Sequence, residues 1–138
     1  YSRRRDCLVA LRTIPETGTS SDGLSITNST IATSKINLTL NAQTGTTYTL
    51  VASDSGKLVT TSNASAITLT VPPSVFAAGE QINVQSIGAG LTTLAAGSGV
   101  TITSTGATSS APIIRASKSA ITIICTASNV FTVIGDIA

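Results

Sequence analysis

"NASAITLTVPPSVFAAGEQINV", residues 63–84, decides how the rest of the chain is read. Ile67, Leu69 and Val71 alternate with Thr68 and Thr70; two prolines and a small-residue turn follow, and alternation resumes at Ile82 and Val84. A period of two puts one face of a strand into a core and the other toward water. Glu80 is the only charged side chain in the stretch. The strands are therefore apolar on one side and neutral on the other, an unusual surface for a protein in water.

The same period extends in both directions. From Leu24 onward short runs of three to eight residues recur: "LSI", "INLTL" with Ile36, Leu38 and Leu40 expected to face inward, "YTLVA", "LVTTS", "AITLTV", "QINVQSI", "VTITS", "AITIICTA" and "FTVIG". Gly, Asn, Ser or Pro bounds each run, which is the pattern of an all-β domain. "DSGK" at 54–57 reads as a turn. Only "PPSVFAAGE" suggests a turn of helix, with Pro at its start and Gly at its end. The expected fold is all-β, an antiparallel β-sandwich or jelly-roll/barrel-like domain spanning residues 24–138, preceded by an extended N-terminal arm and linker at 1–23.

Composition agrees with sheets. The chain has 138 residues, enough for one domain with a real core. Hydrophobic residues make up 41% and charged residues 10%, where an ordinary domain has about a quarter charged. Ser and Thr take up the difference. A mean hydropathy of +0.38 and a net charge of +2 exclude a disordered polar chain. No apolar run approaches the roughly 18 residues of a spanning helix, and "CLVAL" is too short for the core of a secretory signal.

Chemistry is scarce. There is no histidine, so the usual general base near neutral pH and the nucleophile–histidine arrangements are missing. Two distant cysteines do not furnish a zinc site alone; Cys7 and Cys125 are either a single long-range pair or two thiols, with Cys125 reading as a small buried residue. Of the six carboxylates, Asp54, Glu80 and Asp136 are the ones a fold would have to bring together for acid–base work, and turn chemistry accounts for Asp54 and Asp136. "GAG" at 88–90 and "GSG" at 97–99 complete no phosphate-binding motif and read as hairpin turns. The Asn28, Asn37 and Asn63 sequons are what chance supplies in a chain so rich in Ser and Thr. The expectation is a protein that is not an enzyme and has no catalytic residue, cofactor, metal or small-molecule substrate.

Charge distribution says more. Four of the five arginines, Arg3, Arg4, Arg5 and Arg12, fall in the first 23 residues, while Glu80 stands alone between Lys57 and Arg115. An arginine arm suits bidentate docking on an acidic protein surface; binding to nucleic acid is the weaker reading, because no aromatic residue interleaves the basic ones. Domains that stand alone keep sheet faces and edges apart with Lys and Glu. A body that omits them is expected to hide those faces against partners, through strands such as 67–71 and 121–125, with Ile67, Leu69, Val71, Ile121 and Ile123 as candidate contacts.

The run from "NAQTGTTYTLVASDSGKLVTTSNASAITLTVPPSVF" to "ASNVFTVIGDIA" resembles a pattern of tailed-bacteriophage virion proteins, namely head decoration (cement) proteins and tail-fibre modules. The shared cues are Thr47–Leu50, Asp54–Lys57, Ala66–Pro72, Gly79–Ile82, Gly88–Gly90, Gly97–Ile102 and Val133–Asp136. Phe131 departs from it, standing where the pattern often has Trp. The resemblance implies a β-rich structural virion module, commonly a homotrimer, with no catalytic residues to carry over. Together with the arm and the absence of an internal repeat, it points to a capsid decoration protein on the virion surface that binds the major capsid protein. The alternative is a tail-fibre or receptor-binding module adhering to host glycans. No membrane is implied.

Overall fold

The computed structural model describes strand backbone at 17–19 and 25–27, and residues 38–105 and 110–138. The chain divides into two compact units, Tyr1–Ile36 and Asn37–Ala138, whereas composition drew the boundary between residues 23 and 24. In the first unit β1 (Thr17–Thr19) pairs antiparallel with β2 (Ser25–Thr27), Gly18 opposite Ile26. Arg3, Arg4, Arg5, Arg12 and Cys7 lie outside the described residues.

The second unit is all-β, but its strands coil rather than fold back on one another. Three successive passes each place one strand in each of two sheets: β3 (Leu40–Gln43) then β4 (Thr47–Thr49), β5 (Leu58–Thr61) then β6 (Ile67–Val71), β7 (Gln81–Ser86) then β8 (Thr92–Ala96). Within each sheet these strands are parallel: β3, β5 and β7 in one, β4, β6 and β8 in the other. This is a β-solenoid-like arrangement and not clearly the expected antiparallel sandwich or jelly roll. Corners between coils carry the same Gly, Asn and Ser signals as hairpin turns, which is why the period-two pattern alone pointed elsewhere.

A hairpin completes the larger sheet. β10 (Ala120–Ala127) pairs antiparallel with β7 and with β11 (Val130–Gly135), and β11 pairs parallel with β9 (Thr101–Ser104), giving the order β3-β5-β7-β10-β11-β9. Asn129, in the left-handed region at φ 57°, makes the hairpin turn and accepts the Ser74 N–H at 2.7 Å. The free edge of β8 is met by the segment at Pro112–Ile114, which pairs in turn with Ile137–Ala138.

The core lies between the sheets. Val59, Ile82, Val84, Ile121, Ile123, Cys125, Phe131 and Val133 face Leu69, Val71 and Leu94, with Leu50, Phe76, Ile114 and Ile137 closing the ends. Phe76 and Phe131 meet edge to face, centroids 6.2 Å apart, as ring quadrupoles favour. The "PPSVFAAGE" stretch holds turns and no helix, and the single 3₁₀ turn of the described residues falls at Ala52–Asp54 instead.

The glycine motif at 88–90 serves the coil and not a hairpin. A Cβ on Gly88 would overlap the Asn63 backbone, and one on Gly90 the Ser65 carbonyl. These positions let the third coil's corner lie directly on the second's. Asn63 ties the same corner together. Its side chain donates to the Thr44 carbonyl of the first coil at 2.7 Å and accepts the Ser65 N–H at 2.8 Å, while its own carbonyl accepts the Gly90 N–H.

Candidate docking faces

Strands β3–β11 contain no charged residue. The charges of the described body sit in turns and at strand ends: Asp54, Lys57, Glu80, Arg115, Lys118 and Asp136. Both outer faces are consequently neutral, and register defines them row by row.

On the three-stranded sheet, Thr47, Thr68 and Thr93 form one outward ladder, and Thr49, Thr70 and Ala95 the next. Hydroxyl and methyl groups cover a parallel sheet of a kind that most folds bury on both faces. On the six-stranded sheet one row runs Leu40, Leu58, Asn83, Thr122, Ile134 across five strands. A second runs Gln81, Ile124, Thr132, Thr103. Leu40 is 60% and Ile134 49% exposed. Between Asn83 and Ile134 lies an open depression of about 250 Å³, lined by Asn83, Ala120, Ile121, Thr122, Ile134 and Gly135. Thr122 donates to the Asn83 side-chain oxygen at 2.9 Å on its floor.

The expected contact residues Ile67, Leu69, Val71, Ile121 and Ile123 are all buried in the core, none more than 3% exposed. The strands were correctly placed, but these side chains face inward. Their alternates, Thr68, Thr70, Thr122 and Ile124, are what the strands present outward. Leu40 reverses the other way. Expected inside, it is outside, and Asn41 and Gln43 take the inward positions of β3.

That reversal exposes a polar cluster which sequence patterning missed. Asp54, fully buried, accepts from Asn41 Nδ2 at 2.7 Å, from the Tyr48 hydroxyl at 2.9 Å and from the Val51 N–H at 2.9 Å. Asn41 also donates to the Tyr48 oxygen, and Gln43 donates to Asn41. Burial, with the Asp54 carboxylate beside it, pushes the Tyr48 phenol above its ordinary value. Each Asp54 carboxylate oxygen has a donor, so this arrangement fixes local geometry.

The remaining acids among the described residues, Glu80 and Asp136, are likewise committed to local partners. Glu80 accepts the Ala77 N–H. Asp136 accepts from the Ser119 hydroxyl at 2.6 Å and from Arg115 Nε at 2.5 Å, which together hold its carboxyl below the usual range. Arg115 also donates to the Ile137 carbonyl, clipping the C-terminal residues to the 115–119 turn. Cys125 is buried, its thiol near the Phe76 and Ala127 carbonyls; burial, then the Glu80 charge, pushes its pKa up. Among the described residues no three His, Cys, Asp or Glu side chains gather as a metal site would require.

A scan against known protein families found no match, and neither did comparisons with curated proteins and with solved structures.

Proposed function

We propose that this chain is a structural component of a tailed-bacteriophage particle, working by surface contact and not by chemistry. The observation that carries this reading is the outer face of the six-stranded sheet: six strands wide, without one charged side chain. Such a face is kept in solution by being covered. Copies of the chain cover it, as a homotrimer in the arrangement the resemblance implies. In the primary reading the trimer is a capsid decoration protein: the arm, through Arg3, Arg4, Arg5 and Arg12, grips an acidic surface of the major capsid protein. Many modest contacts repeated by symmetry then stabilise the shell collectively.

The stacked coils favour a second reading, a tail-fibre module. One ground for preferring the head was the absence of a repeat, and the coil is a repeat in structure though not in residues. Its Thr ladders would then face host-surface glycans, without the aromatic platform that sugar sites usually offer.

Copy number per particle, by mass measurement of intact virions, separates the two. Many copies per head support decoration; a handful support the tail. Deleting residues 1–14 and measuring occupancy on purified heads tests the arm, and undiminished binding would remove it as the anchor. A glycan array that lights up with the isolated chain would favour the fibre.

A further inference from the structure

We propose that the self-contact is made by the two ends of one row on the six-stranded sheet. Leu40 and Leu58 of one copy seat in the depression over Asn83, Thr122, Ile134 and Gly135 of the next. This rests on the reading above that copies of the chain cover this face, and it names the surface.

The row supplies both halves of the contact. At the β3 edge Leu40 stands outward with Leu58 beside it, an aliphatic knob at the end of a sheet. Toward the other edge the sheet dips, for reasons visible in the residues. Gly135 has no side chain and sits at φ 132°, and a Cβ there would overlap the Ala120 carbonyl region. Ala120 is small, and Thr122 is turned onto Asn83. The depression, about 250 Å³, has the size of one or two aliphatic side chains, with Ile134 as its apolar wall. The Asn83 side-chain amide N–H groups, which donate to nothing among the described residues, are left at its floor for a backbone carbonyl arriving with the knob.

The face carries both the knob and the socket, which favours a second copy, and electrostatics does not oppose it. A charged partner finds no counter-charge on this face, whereas two copies bring no like charges together across it. Each copy carries one knob and one socket at different places, so the contact is heterologous and closes when the copies form a ring. Six strands spaced about 4.8 Å apart and roughly five residues deep cover on the order of 500 Å². That is under the about 800 Å² per partner of a standard interface. Association is therefore expected to depend on concentration and to be strengthened by ring closure.

The test uses the full chain with Cys7→Ser, leaving the buried Cys125 in place. Leu40→Cys and Ile134→Cys are made as separate proteins, mixed under mild oxidation and run on a non-reducing gel. The proposal expects a mixed disulfide well above that of Leu40→Cys mixed with Thr68→Cys, a control on the opposite sheet. Equal yields overturn it. In parallel, Ile134→Lys, at an exposed site and checked for fold by circular dichroism, is expected to weaken association in sedimentation by about tenfold or more. If the unaltered chain associates and Ile134→Lys associates equally well, this surface is wrong while self-association stands. If the unaltered chain never associates, the reading beneath it fails as well. If Ile134→Lys leaves association intact but abolishes binding to empty heads, the face belongs to the capsid protein and the proposal is overturned.

Discussion

The first coil and the two that follow occupy the same register with opposite chemistry. Asn41 stands where the second and third coils have Val59 and Val84, Gln43 where they have Thr61 and Ser86, and Tyr48 where they have Leu69 and Leu94. The later coils bury mostly hydrocarbon between the sheets, with Thr61, Ser86 and Thr92 as buried hydroxyls. The first coil buries a carboxylate with its donors. A stack of parallel coils has to end somewhere, and an apolar end would leave hydrocarbon open. The difference shows one way to finish a coil stack: replace the last apolar layer with a polar layer that satisfies itself.

The comparison is easiest to break from its apolar side. Leu69 is fully buried among both sheets, and Leu69→Ala removes its packing and leaves a cavity. A loss of about 2–5 kcal/mol in urea unfolding is expected. A loss below about 1 kcal/mol would mean that the second coil carries no more of the fold than the first.

Next in size is the polar layer. Asp54→Ala leaves the Tyr48 hydroxyl, the Asn41 amide and the Val51 N–H without their acceptor, for about 1–3 kcal/mol. Tyr48→Phe removes one donor of three and should cost about 1 kcal/mol. If Asp54→Ala proved as mild as Tyr48→Phe, the layer would be a wetted end and not a closing network. Asn63→Ala comes after these, at about 1 kcal/mol, because its side-chain bonds are solvent-exposed while its backbone bond to Gly90 survives. Hydrogen exchange at the 62–66 corner should report it more clearly than global stability.

These positions also show how far the residues alone carry the reading. The β character, the extents of β5, β6, β7, β10 and β11, and the neutrality of the outer surface follow from period-two runs bounded by turn residues. Strand direction does not. A corner such as "SNASA" has the same composition whether it turns the chain back beside itself or onward into a second sheet, and coil spacings are too uneven to register as a repeat: Leu58 follows Leu40 by 18 residues, Asn83 follows Leu58 by 25. The inward phase of β3 was inverted for a physical reason. Hydrophobicity assigns Leu40 to the core, but the place is held by Asn41, whose partner Asp54 lies 13 residues on and becomes adjacent only after the coil closes. The same limit applies to the docking face. That the surface lacked charge was legible; which side chains form it required knowing which alternate faced out.

The smallest effect expected lies at the opposite end of the body, where residues 115–119 and 136–138 are joined by an exposed ion pair and not by a buried carboxylate network. Asp136 is held by the Ser119 hydroxyl and by Arg115, and these partners lower its pKa in the folded state relative to the unfolded chain. A lowered carboxyl contributes stability that is present above the unfolded pKa and is lost as pH falls through the folded value. The window is therefore acid, opening near pH 4 and extending below it. Because Arg115 and Asp136 are both well exposed, solvent screens the pair and the change is expected to be shallow. Ser119→Ala removes the first of the two partners and should flatten the acid limb of the stability profile by lowering stability slightly near pH 7 while leaving it almost unaltered at pH 2. Arg115→Ala should flatten it too, and should also loosen residues 136–138, because the Arg115 bond to the Ile137 carbonyl goes with it. Thermal melts between pH 2 and 7 in low and high salt read both effects. If Ser119→Ala steepens the acid limb, the hydroxyl is not holding the carboxylate, and the clip at residues 136–138 rests on Arg115 and on the backbone pairing with residues 113–115.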